Sequence, residues 1–423
     1  MKTFLRVTSG ISLAFSMSAV ALGQHYTQVN LVSNISGVAP VTDPTLINPW
    51  GLSRSSSSPW WISDNGTGLS TLFNGAGVKN SLIVTIPKVD PNNKTFPAGT
   101  PTGTIFNSVP TDFVLPGGFA SSFLFATLDG AIIGWNANVG IAPGAAAPSV
   151  NAVIAVKATD GSSYTGLTSA LVEGNRYLYA ANFNNGRVDV YDSNFHPVTL
   201  NPNDQDQNNG NGNGNGNGNG NGNGNQNNND NDNDNGDNNR AFTDRLLPRN
   251  YVPFNVQTVG NDIVVTYVLH QQGQPLETDG PGLGYVDIFT AKGRLIQRLE
   301  HGDWLNAPWG VALAPQDFGA FSHDLLIGQF AGGGTTQGSG TIAIYDLVTG
   351  QFKGLLQDAN GNTIAINGLW DISPANNSAV GSYDPAGAPG SELYFTAGPN
   401  KGTGGLFGYL KTAATDLTEG NDQ

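Results

Sequence analysis

The side chains best suited to hold a ligand recur at the start of one motif. It reads Asn48-Pro49-Trp50-Gly51-Leu52 and Asn306-Ala307-Pro308-Trp309-Gly310-Val311, with looser copies at Pro253-Phe254-Asn255-Val256 and Asn367-Gly368-Leu369-Trp370-Asp371-Ile372. Asn48, Asn255, Asn306 and Asn367 offer amide oxygens, and Asp371 adds one carboxylate. Such oxygens suit a hard cation, calcium above all. With the indoles of Trp50, Trp309 and Trp370 they also suit a sugar or another neutral polar guest, which needs apolar faces and a few aimed hydrogen bonds. Asp64 and Asn182, each at the end of an apolar run, are weaker metal candidates. The structural alternative is concrete: Asn beside Pro or Gly satisfies turn backbone through its own side chain, and a repeated Trp fills a core.

Other chemistry is poorly served. The chain has no cysteine, hence no thiol nucleophile and no cysteine-ligated zinc. It carries no G-x-S-x-G elbow, no H-E-x-x-H and no phosphate-binding P-loop. His25, His196, His270, His301 and His323 are scattered among turn residues, where a histidine is ordinarily solvated. No catalytic residue is singled out. Only 12% of the 423 residues are charged, so the surface must be polar through uncharged groups. The net charge of -14 argues against nucleic acid and against an anionic membrane as partner.

The motif must be positioned by strands. Runs such as Arg187-Val188-Asp189-Val190-Tyr191, Tyr285-Val286-Asp287-Ile288-Phe289 and Thr341-Ile342-Ala343-Ile344-Tyr345 alternate in polarity and follow Gly-containing turns. A second element ends in a small or polar residue and then glycine, as in Trp60–Gly66, Leu178–Gly186, Leu325–Gly332 and Leu393–Gly398. A closing run follows, such as Phe352-Lys353-Gly354-Leu355-Leu356. Four short strands per about 40–50 residues describe a propeller blade. Six units are expected, starting near Asn48, Phe119, Tyr164, Pro253, Asn306 and Ile364. The fold class is therefore all-β, a six-bladed β-propeller over 24–410; an array of β-sandwiches is the alternative. The run Tyr26–Val32 is expected to supply the outer strand of the last blade and so close the ring.

Three segments stand apart. Residues 1–23 read as a signal peptide, with Lys2 and Arg6 before a short apolar stretch and cleavage expected before Gln24. The expected location is secreted, extracellular or periplasmic, and no segment approaches the ~18 apolar residues of a membrane span. Residues 201–239, rich in Asn, Gly and Asp, have almost no apolar side chain and are expected to form a disordered surface insert within the propeller. Asp230, Asp232, Asp234 and Asp237 are spaced like calcium-loop ligands, but Asn235 and Ala241 stand where such a loop needs Gly and Glu. Residues 411–423 form a polar, acidic tail.

The second and third elements resemble NHL and related secreted propeller repeats. The combination NPWGLS, WWISDNGTGLSTLFNG, YAANFNNGRVDVYDSNF, NAPWGVALAP, FGAFSHDLLIGQF and LYFTAGPNKGTGGLFG resembles a bacterial secreted family of six-bladed propellers whose members often carry a PEP-CTERM sorting signal. The resemblance implies export and no assigned activity. The tail departs from it, since 411–423 has no apolar anchor and no basic cluster. Six-bladed propeller lactonases use a glutamate from the channel wall; here Glu173, Glu277, Glu300 and Glu392 all sit near turns or edges.

The expected function is binding, by a monomer, of a small molecule, glycan or extracellular protein at the channel mouth. The candidate residues are Asn48, Trp50, Asn255, Asn306, Trp309, Asn367, Trp370 and Asp371. A lactonase-like metal-dependent hydrolase is the first alternative, and an extracellular matrix protein acting through its insert is the second. No cofactor is required by the sequence; calcium is the ion the oxygen set would hold.

Overall fold

Alternating runs bury one face of each strand against a neighbouring sheet, and here every sheet has a neighbour on both sides. The computed structural model describes residues 24–96, 98–203, 240–271, 273–274, 276–331, 340–375 and 391–414. Residues 1–23, read above as a signal peptide, residues 204–239 of the expected insert and residues 415–423 of the tail lie outside them.

Six antiparallel sheets form the blades. Blade 1 comprises Pro49–Ser53, Trp60–Asp64, Leu69–Phe73 and Lys79–Thr85. Blade 2 comprises Pro101–Phe106, Phe123–Thr127, Ala131–Trp135 and Val153–Lys157. Blade 3 has three strands, Tyr164–Val172, Asn175–Asn182 and Arg187–Asp192. Blade 4 comprises Tyr251–Val259, Asp262–Leu269, Tyr285–Phe289 and Leu295–Arg298; blade 5 comprises Pro308–Leu313, Leu325–Gln329, Ile342–Tyr345 and Phe352–Leu355. Blade 6 joins Leu369–Pro374, Leu393–Ala397 and Leu406–Thr412 to the N-terminal strand Tyr26–Ser33, which is itself flanked by the short parallel strand Val41–Thr42. The first strand of each blade touches the first strand of the next, from blade 1 round to blade 6 and back to blade 1. The chain is a six-bladed β-propeller.

The expected closure by Tyr26–Val32 is observed: Tyr26 pairs with Thr412 and Ser33 with Leu406. One expected unit is corrected. Blade 2 begins at Pro101–Phe106 rather than near Phe119, because its inner strand, Pro101-Thr102-Gly103-Thr104-Ile105-Phe106, has Thr102 before the glycine where blades 1, 4, 5 and 6 have an aromatic.

The core follows the symmetry. Six apolar clusters each fill one seam between neighbouring blades, for example Leu52, Trp60, Ile62, Tyr394 and Phe407 between blades 6 and 1. A seventh cluster gathers Trp50, Phe183, Phe254, Trp309, Phe330 and Trp370 about the axis.

Candidate functional site

The motif residues lie at several levels along the axis. Outermost is a residue in the left-handed region just before the inner strand: Asn48 (φ 46), Ala307 (φ 47) and Gly368 (φ 69) hold equivalent places. Positive φ is easiest for Gly and tolerated by Asn, which explains two of these three residues. Asn48 Oδ1 accepts the indole N–H of Trp370 at 2.9 Å. Asn306 and Asn367 precede that position by one residue. The Asn306 amide oxygen accepts the main-chain N–H of Gly280 at 2.8 Å.

Below this level the tryptophans come together, as the sequence led one to expect, but they pack on one another. Trp50 stacks on Trp370 with centroids 3.6 Å apart, and Trp370 stacks on Phe330 at 3.8 Å. Trp309 meets both Trp50 and Trp370 edge-on, at 6.0 and 5.7 Å. All three indoles are buried, so they form an aromatic plug.

The next level is a constriction. The residue after each plug position is Gly51, Gly103, Gly166, Asn255, Gly310 or Asp371 in blades 1 to 6, and each inner strand shifts register at or beside it. Backbones approach too closely here for most side chains. A Cβ on Gly51 would lie 2.7 Å from Thr102 O, one on Gly103 2.5 Å from Leu167 N, and one on Gly310 2.6 Å from Trp370 O. Asn255 and Asp371 occupy the two positions that are not glycine, and they solve the crowding alike. Asn255 Oδ1 accepts the N–H of Val256 at 2.8 Å while its Nδ2 donates to Trp309 O of blade 5 at 2.7 Å. Asp371 Oδ1 accepts the N–H of Ile372 at 2.9 Å while its Oδ2 accepts the N–H of Leu52 of blade 1 at 2.8 Å. Each residue's own N–H donates to a second-strand threonine, Thr266 or Thr396. The four asparagines therefore do not form one ring; Asn255 belongs with Asp371, two levels below Asn48.

Beyond the constriction, at the C-terminal ends of the inner strands, a cavity of about 490 Å³ opens. Its wall includes Asp371, Arg54, Trp60, Gln257, Gln316 and His323. The Arg54 guanidinium lies over the Trp60 ring, 4.6 Å from its centroid. Trp60 is buried, and its indole Nε1 has no hydrogen-bond partner among the described residues. Burial pushes the Asp371 carboxyl up to about 7, with the N–H groups of Leu52 and Ile372 holding it back. Reading the sequence found Asp371 but missed the other wall residues, which follow the motif at no repeated spacing.

The weaker metal candidates close turns. Asp64 Oδ2 accepts the N–H of Thr71 at 3.0 Å, and burial holds this carboxyl well above its ordinary range. Asn182 donates to Ser162 Oγ at 2.8 Å and to Asp189 Oδ2 at 2.7 Å. Among the described residues no group of three or more His, Asp or Glu could hold a metal ion. No described helix is long and apolar enough to cross a membrane.

No protein-family model matches the chain. It is similar to two proteins of Acanthamoeba polyphaga mimivirus, "Uncharacterized protein R648" and "Uncharacterized protein L690". The first is 25% identical over 90% of this chain and 78% of the relative; the second is 27% identical over 90% and 84%. Among solved structures it is similar to streptogramin B lyase, at 12% identity and TM-score 0.42, covering 92% of this chain and 98% of that one. It is also similar to Kuenenia stuttgartiensis hydrazine synthase, at 14% identity and TM-score 0.44, covering 85% and 76%. These likenesses assign no activity to this chain; the relatives are viral, and the resemblance to a bacterial secreted family gains no support from them.

Proposed function

We propose that this chain is an exported binding protein that takes a small, acceptor-rich molecule into the cavity at the C-terminal ends of its inner strands. The observation that carries the reading is the buried Trp60 N–H, unpartnered among the described residues, on the wall of a cavity floored by Asp371. An unmade hydrogen bond to a buried donor costs about 1–3 kcal/mol, and a ligand oxygen recovers it. Gln257 and the neutral form of Asp371 are further donors on the same wall. Donors in this number suit carbonyl, lactone or carboxylate oxygens. The constriction of Gly51, Gly103, Gly166 and Gly310 supports approach from this mouth alone.

The test is calorimetry with a panel of simple lactones and their hydroxy acids, on the intact protein and on Trp60→Phe. Binding without turnover, weakened in Trp60→Phe, is the expected result. Ring opening of any lactone, abolished by Asp371→Asn, would replace this reading with the hydrolase one. Export is checked by N-terminal sequencing of protein recovered outside the producing cell, expected to start at Gln24.

A further inference from the structure

Among the described residues blade 3 has three strands where its neighbours have four, and a second cavity, of about 420 Å³, runs along its third strand. Past that strand, Tyr191 forms one isolated bridge with Pro197, and the N–H of Val198 donates to Val190 O at 2.8 Å. Beyond it the strand edge from Gly186 to Val190 faces the cavity, and residues 240–251 form the opposite wall.

The floor is polar and buried. Tyr267 is 3% exposed, and its hydroxyl has no hydrogen-bond partner among the described residues. Beside it lie two carboxyl groups. Asp287, 2% exposed, is pushed up to about 8 by burial and by the charge of Asp244, to which it hydrogen-bonds. Burial also disfavours ionised Asp244, but Arg298 overcomes this through a bidentate ion pair that includes Nε to Oδ2 at 2.6 Å and keeps Asp244 below its ordinary range. The next cation, Arg187, is likewise matched, by Asp160 at 2.7 Å and by Asp189. Val188, Leu200 and Leu247 supply apolar wall.

These features define the guest. The charges in the inner part of the cavity, Asp244 and Arg187, are already paired, while Arg240 and Arg249 stand exposed at its outer edge; in the inner part an ionic guest gains little and a neutral one avoids desolvating a charge. The open group is the Tyr267 hydroxyl, which both donates and accepts, and a guest hydroxyl complements it. The volume lies within the range of small-molecule sites. We infer that the cavity between blades 3 and 4 is a second binding site, for one neutral sugar unit or polyol, anchored by the Tyr267 hydroxyl.

Saturation-transfer NMR and calorimetry on the full chain with glucose, galactose, mannose, xylose and myo-inositol test this. At least one is expected to bind, and Tyr267→Phe to weaken it about tenfold. The unfolding midpoint of unliganded Tyr267→Phe should match or exceed that of the parent, because the lost hydroxyl had no partner. Leu247→Trp, which fills the cavity from its outer wall, should abolish binding with an unchanged circular dichroism spectrum. Failure of all five to bind overturns the inference, as does equal binding by Tyr267→Phe. Binding lost in Trp60→Phe but kept in Leu247→Trp also overturns it, by placing the sugar in the axial cavity.

Discussion

Asp371 ties the last blade to the first by accepting the N–H of Leu52 at 2.8 Å, a contact between residues 319 apart in the chain. Because burial raises this carboxyl from 3.8 to about 7, the folded protein keeps a proton that the unfolded chain has released. The folded state therefore binds more protons between those values, and stability falls as pH rises through that window. About three pKa units correspond to at most about 4 kcal/mol. Urea unfolding between pH 4 and 8 should show the decline, and Asp371→Asn should flatten it. Asp287 contributes a slope of the same sign up to about 8, so the difference between parent and variant is the quantity to measure. An unchanged slope in Asp371→Asn would refute the assignment.

The constriction makes a prediction about glycine. A Cβ on Gly166 would fall 2.1 Å from Asn255 Oδ1 and 2.8 Å from Asn255 Cα, so the neighbouring backbone must move. Gly166→Ala is expected to cost about 3 kcal/mol, at the upper end of overpacking penalties. Gly174→Ala is the comparison: its Cβ would meet nothing within 4 Å, and only its φ of +82 is strained. That change should cost about 1–2 kcal/mol. Equal unfolding midpoints for the two variants would show that the inner strands can spread.

The plug should matter more to stability than to binding. Trp370 stacks on both Trp50 and Phe330 and donates to Asn48. Trp370→Ala is expected to lose about 3–5 kcal/mol. Asn48→Ala should lose about 1 kcal/mol through the freed indole N–H. Ligand titrations of Asn48→Ala at the axial cavity should match those of the parent, because the plug and constriction separate the two mouths.

The fold was legible where one motif repeated and obscure where it did not. Pro49-Trp50-Gly51 and Pro308-Trp309-Gly310 are near copies because a bulged strand beside a packed axis needs an aromatic and then a residue without a side chain. Blade 2 keeps Gly103 but has Thr102 where blades 1, 4, 5 and 6 have an aromatic, and, unlike blade 3 with Tyr164 beside its Thr165, it has no aromatic next to that position; its start is therefore hard to place from sequence. Asp371 stood out as the one acid in the motif. Its partner Leu52 is brought near by ring closure, which no local spacing records. The axial cavity went unseen because its wall comes from strand ends such as Arg54, Gln257 and Gln316, whose sequences differ from blade to blade.

Closure by the first strand gives the last prediction. Tyr26 is buried between blades 5 and 6, stacks on Phe318 at 4.3 Å and donates its hydroxyl to Phe318 O at 2.8 Å. Blade 6 otherwise ends at Leu406–Thr412, leaving an open sheet edge and an uncovered seam. Tyr26→Phe removes one hydrogen bond and should cost about 1 kcal/mol. Tyr26→Ala also removes the ring and should cost about 3–5 kcal/mol. Removing residues 24–33 exposes the whole edge, and an open edge pairs with other chains, so this protein should form oligomers in light scattering at a concentration where the parent does not. A truncated chain that stays dispersed with an unchanged unfolding midpoint would show that the ring holds without its N-terminal strand.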